Sequence, residues 1–369
     1  MISLHNFFRQ LDFSKLVAQQ RSRDGLTSLT AGVAAGLALG YFSCVCVQHS
    51  AQSSDEADMR RKRVGVNPAD VTVPDSVCHK LGWHTNSRGM VMCHQQFLPK
   101  GGVVKAVVGL CHGFSDHSHG FLMDFAIKLC IDGFAVIIMD VEGHGLSDGL
   151  HCAIHDVKNM AIDLSDHFLE QLTTLHFEDK PFFIYGVSMG GANVFNMCTI
   201  PQCKALQERI SGAIMCAPMV KIADEMKPPA FVISLLGWLG QIIPHAPITP
   251  IPEILSKCFR DSSVYIRAKK HPLLYSKKPR VLTGLTMLNA TDDINDRMEE
   301  LTAPLLLLHG ADDVVTDPKL SQVLYDRCSS KDKKINIYPQ AWHDMLAGEP
   351  EDMRKRVYGD IVAWINDRC

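Results

Sequence analysis

The chain has 369 residues, 46% of them apolar, enough to bury a full core in one large domain. A net charge of −3 leaves no basic field, so no nucleic-acid partner is expected. Thirteen cysteines without a C-x-x-C pair resist complete internal pairing; this favours a reducing, cytosolic-type compartment, and the single sequon Asn289-Ala290-Thr291 is read as chance.

In chain order, the first feature is an uncharged stretch from Gly25 to Ser54. Its core, residues 26–47, is 22 residues long. As a helix that is ~33 Å, enough to cross a hydrocarbon layer of about 30 Å. The reading is an N-terminal membrane-anchor helix, with a cleaved signal peptide and an organellar transit segment as competitors. Gly32, Gly36 and Gly40 stand four apart, a spacing that allows close helix approach and hence a homodimer. Cys44 and Cys46 at its edge are candidates for acylation. The run Arg60-Arg61-Lys62-Arg63 reads as a contact for anionic head groups or as a solvated linker. Basic residues flank the span on both sides, so orientation rests on the free cysteines, which favour a catalytic domain on the cytosolic side; an organellar membrane stays open. Residues 1–64 are therefore taken as anchor and linker, and 65–369 as the catalytic domain.

From residue 65, short apolar runs alternate with helical stretches. Val103 to Leu110, Phe134 to Met139, Pro181 to Tyr185, Ile214 to Cys216, Leu305 to Leu308 and Ile335 to Tyr338 read as strands. Most are too continuously apolar to have a face in water, which implies a mostly parallel sheet covered on both faces. Helices over 121–130, 156–175, 318–328 and 352–366 supply the cover, so the class is α/β, doubly wound. The alternation breaks over about 220–296, read as a helical cap whose apolar segment, Ala230 to Ile243, lines an acyl channel, lies in a membrane interface or packs as a helix buried against the main domain.

The chemistry centres on Gly186-Val187-Ser188-Met189-Gly190-Gly191, which follows a strand and opens a helix. Strand, sharp turn and helix make G-x-S-x-G a nucleophile elbow, because the glycines let the chain turn and present the serine hydroxyl above the sheet. A hydroxyl needs a positioned base, so a carboxylate and an imidazole are expected later in the chain. A loop after Leu308 carries Asp312, Asp313 and Asp317, and His343 follows the last strand. His112, His117 and His119 cluster without an H-E-x-x-H or a cysteine quartet and are read as structural; no metal and no cofactor are expected.

Residues 75–369 resemble the monoacylglycerol lipase-like serine hydrolases of the α/β-hydrolase superfamily, especially the plant-type group that includes lysophospholipases and caffeoyl shikimate esterases. The likeness rests on His112-Gly113-Phe114-Ser115-Asp116-His117-Ser118, Gly143-His144-Gly145-Leu146-Ser147, the elbow, Ala217-Pro218-Met219, and the loops at His309 and His343. It implies Ser188 as nucleophile, His343 as base and acid, and Asp313, four residues after His309, as the orienting carboxylate. It also implies an oxyanion hole from the backbone N–H groups of Phe114 and Met189. Val187 stands where the family commonly has His or Glu, and Phe114 is bulkier than its animal counterparts.

The expected activity is hydrolysis of lipid-like carboxylic esters, monoacylglycerol foremost, with lysophospholipids and hydroxycinnamoyl esters as alternative substrates. An acyltransferase on the same triad and a non-catalytic membrane-bound binding protein are the competing functions; the binding protein is disfavoured because no triad member is missing.

Overall fold

The computed structural model describes residues 56–62, 72–221, 229–250 and 254–369. The expected anchor, its three glycines, and Cys44 and Cys46 lie outside them. Among the described residues, no helix is long and apolar enough to cross a membrane.

Eight strands form one sheet: β1 (Val77–Thr85), β2 (Val91–Pro99), β3 (Val107–Cys111), β4 (Ala135–Met139), β5 (Phe182–Val187), β6 (Ile210–Cys216), β7 (Leu305–Gly310) and β8 (Lys333–Tyr338). Their order is β1-β2-β4-β3-β5-β6-β7-β8. β2 pairs antiparallel with β1 and β4, and all later neighbours are parallel. The six strands expected from sequence are present, with shifted ends. The β1–β2 hairpin was not anticipated, because its residues mix polar and apolar types on both faces.

The apolar runs are explained by two cores. Ile184, Met215 and Leu307 point into one, while Tyr185, Ile214 and Leu306 point into the other. Successive side chains on a strand alternate faces, so a strand buried on both sides has no polar positions. The covering helices are α1 (Phe121–Ile131), α2 (Val157–Thr174), α3 (Met189–Thr199), α7 (Pro318–Arg327) and α8 (Glu351–Asn366). Between β6 and β7 lies the cap, with α4 (Ala230–Ile242), α5 (Ser262–Lys270) and α6 (Val281–Asp296).

The compact unit carrying these elements includes the helical segment over 56–62, which the sequence reading assigns to anchor and linker. The reason is Arg60, whose side chain is 1% exposed. Its guanidinium donates to the carbonyls of Gly145 at 2.9 Å, Ser147 at 2.5 Å and Gly149 at 3.1 Å. Arg61 donates to the Leu146 carbonyl and pairs with Asp148 at 2.7 Å. This corrects the reading of these two arginines as head-group contacts or linker: Arg60 has no face in water, and both cations clamp the 145–149 loop. Arg60→Ala strands several carbonyls that had charge-assisted donors, and is expected to destabilise the fold by about 2–4 kcal/mol in urea unfolding.

Candidate active site

β5 ends at Val187 and α3 begins at Met189, leaving Ser188 alone in the turn. Its φ of 55° and ψ of −119° are strained for a residue with a side chain. The glycines around it are required by contact. A Cβ at Gly186 would strike the Gly190 backbone, one at Gly190 the Cys111 carbonyl, and one at Gly191 the Pro218 ring. The turn is anchored by Ser188 N–H donating to the Cys216 carbonyl at 3.0 Å and by Met219 N–H donating to the Ser188 carbonyl at 2.9 Å. Ser188 itself is half-buried.

Two strands away, β7 leads into the loop with the three candidate carboxylates. Asp312 is exposed, and Asp317 caps α7 by accepting from Lys319 N–H at 2.9 Å. Asp313 is the one that meets the histidine: its Oδ2 lies 2.7 Å from His343 Nδ1. The same oxygen lies 3.1 Å from His309 Nε2 and accepts from the Thr316 hydroxyl at 2.9 Å, while Oδ1 accepts from the N–H groups of Val315 and Thr316. Burial alone would raise this carboxyl's pKa. The positive field of His343 and the hydrogen bonds from both histidines outweigh it and hold Asp313 well below the ordinary carboxylate value. A charged carboxylate on Nδ1 fixes the ring so that Nε2 is the free working edge.

The Asp313–His343 pair and Ser188 occupy the carboxyl ends of β7, β8 and β5, on one edge of the sheet. Thr316 ties the two halves: its hydroxyl lies 3.1 Å from the Ala217 carbonyl, after β6, and 3.2 Å from His343 Nδ1. Sequence reasoning did not single out Thr316, nor His309 as a support for Asp313. The H-G-x-x-D spacing puts His309 beside the carboxylate, but a threonine seven residues past a strand-end histidine carries no signal of its own.

The Phe114 loop lies over the serine, since a Cβ on Gly113 would sit 3.4 Å from Ser188 Cβ. Met189 opens α3, so its N–H is one of those a helix start leaves without an intrahelical partner. The residue before Phe114 and the residue after Ser188 therefore both lie at the nucleophile. Asp140 holds the neighbouring loops together, accepting from Ser118 N–H at 2.6 Å and Leu146 N–H at 2.9 Å. His112, buried, accepts from Val141 N–H through Nε2 at 3.1 Å, with Nδ1 2.8 Å from the Gly113 carbonyl. That is the structural role expected for it. On the cap side, the Phe114 ring meets Tyr275 edge-on at 6.4 Å, and the Ser115 hydroxyl accepts from Tyr275 N–H.

The apolar cap segment, α4, is not a helix buried against the main domain. None of its residues is buried, and Phe231, Leu235, Trp238 and Ile242, spaced along one face, are exposed, Phe231 at 73% and Trp238 at 57%.

Residues 102–351 match the Hydrolase_4 family, described as serine aminopeptidase, S33. The chain is 29% identical over 274 residues to caffeoylshikimate esterase of Arabidopsis thaliana, covering 74% of this chain and 81% of that protein. It is 27% identical over 290 residues to monoglyceride lipase of Homo sapiens, covering 77% and 89%. Among solved structures, it resembles a soluble variant of monoglyceride lipase from Saccharomyces cerevisiae in complex with a substrate analog. There the TM-score is 0.69 at 21% identity, over 81% of this chain and 97% of that one. With the sheet order above, this is the α/β-hydrolase fold.

Proposed function

The chain belongs to the Hydrolase_4 family and is a carboxylic-ester hydrolase; we propose that it acts on lipid-like substrates, preferring a monoacylglycerol that it cleaves to fatty acid and glycerol through an acyl-enzyme on Ser188. His343 takes the hydroxyl proton as Ser188 Oγ bonds to the ester carbon, and the N–H groups of Met189 and Phe114 receive the developing oxyanion. His343 then gives that proton to the leaving glycerol oxygen. Water, deprotonated by the same ring, releases the acid and restores the serine. Asp313 stays charged throughout and balances the imidazolium.

The observation that carries the substrate class is the outward apolar face of α4. A soluble domain rarely exposes a Phe, a Leu, a Trp and an Ile on one helix face unless that face meets an apolar partner. Set in the cap, it suits docking on the lipid surface from which a long-chain ester enters. We assign residues 26–47 the role of a tether to the same membrane. The catalytic domain then stands on its reducing, cytosolic side, in keeping with buried free thiols such as Cys93, Cys111 and Cys216.

The test is a substrate panel. A long-chain monoacylglycerol in mixed micelles is expected to give a kcat/KM at least about tenfold above those of a lysophospholipid and a caffeoyl ester. Faster turnover of the caffeoyl ester would transfer the assignment to hydroxycinnamoyl esters, for which the 29% identity to the plant esterase is the support.

A further inference from the structure

A second group of chemically capable side chains lies at the β1 edge of the sheet, away from β5, β7 and β8. In the β1–β2 register His84 faces Met92 and Gly82 faces His94. His84 and His94 are thus diagonal neighbours on one sheet face. Gly82 makes the arrangement feasible, because a Cβ there would collide with the His94 ring. Packed on this face is α2, which presents His167 and Glu170 three residues apart, on one side of the helix.

The four side chains converge. The His167 ring centroid is 5.2 Å from that of His84 and 4.6 Å from that of His94. His84 Nδ1 lies 2.7 Å from Glu170 Oε2. One ligand-type atom from each of His84, His167 and Glu170 falls within 4.8 Å of the others.

Packing alone does not account for His167. It is fully buried, yet among the described residues neither of its ring nitrogens has a hydrogen-bond partner, and neither does Nδ1 of the buried His94. Leaving a buried polar atom unpaired costs about 1–3 kcal/mol each, and native folds keep such atoms where an ion or water satisfies them.

We infer that His84, His167 and Glu170 form a binding site for a divalent metal ion of the zinc type, with His94 beside the remaining coordination position. Two imidazoles and a carboxylate are a donor set suited to a borderline cation, and small movements of exposed Glu170 and of His84 bring the ligands to bonding distance. The ion takes the place of the proton between His84 and Glu170 and pins the β1–β2 hairpin to α2. No short sequence pattern announces such a site, because its ligands come from one strand and a helix more than 80 residues later.

The experiment is zinc titration of the detergent-solubilised full chain after chelator treatment, with bound metal counted by elemental analysis. One zinc per chain is expected. Glu170→Gln and His84→Asn should each weaken it at least about tenfold, since even supporting residues around a metal contribute that much. Glu170 is exposed, so its variant keeps the fold, and its ester turnover should match that of the wild type. Absence of stoichiometric zinc, or equal affinity in wild type and both variants, overturns the assignment.

Discussion

Replacing Ser188 with alanine is expected to lower kcat for ester hydrolysis by at least about 10⁴-fold, with KM little changed. The loss is this large because the oxyanion donors and the Asp313–His343 pair have no covalent chemistry to serve without the hydroxyl. The fold should be indifferent. Ser188 is half-buried, and its anchoring hydrogen bonds, to Cys216 and from Met219, use backbone atoms that alanine retains. Alanine keeps the strained φ of 55°, so unfolding by urea should give nearly the wild-type midpoint. Glycine at the same place removes a Cβ penalty of about 1 kcal/mol or more and should stabilise the fold while being equally inactive. Stability and activity then move in opposite directions at one residue, which a purely structural role for the serine does not produce.

The second large effect is expected at Asp313. Asp313→Asn should lower kcat by roughly 10²–10⁴, because the amide neither balances the imidazolium nor holds the Nδ1–H tautomer. It should also destabilise the fold by about 2–4 kcal/mol, since an amide NH₂ would face some of the donors that now converge on the two carboxylate oxygens. The pH dependence follows from the sign of the shift. The folded-state pKa lies below the ordinary 3.8, so the folded protein gives up this proton more readily than the unfolded chain. Asp313 therefore contributes stability that is fully present above about pH 5 and lost as pH falls through the unfolded and then the folded value. Urea unfolding between about pH 5 and pH 2.5 should show the wild type losing stability to acid more steeply than Asp313→Asn, with the two parallel above pH 5.

What could be read from the sequence was set by how local each cause is. β5, β6 and β7 are unbroken apolar runs because both faces are buried, and the elbow needs its glycines within a few residues of Ser188; both facts are local. The β1–β2 hairpin carries no clear hydropathy signal because some of its buried polar residues find partners only in three dimensions: Gln95 reaches His79 at 2.7 Å and Ser118 at 2.8 Å. Arg60 misled for the same reason. A basic run reads as solvated, yet its acceptors are carbonyls more than 80 residues later. In α4 the apolar residues are plain in the sequence, but whether they face the pocket or the outside is decided by how the cap packs. Among the three aspartates after β7, the choice of Asp313 rested on family resemblance, and the structure supplies the physical ground in its bond to His343.

Ser188 is the group that bonds covalently to the acyl carbon in the proposed mechanism. The direct measurement is the site of a covalent adduct: wild-type protein treated with a fluorophosphonate, digested, and mapped by tandem mass spectrometry. One adduct on the peptide containing Ser188, absent from Ser188→Ala and strongly slowed in His343→Ala, is the predicted result. An adduct on another residue, or none from a protein that still turns over ester, would contradict it.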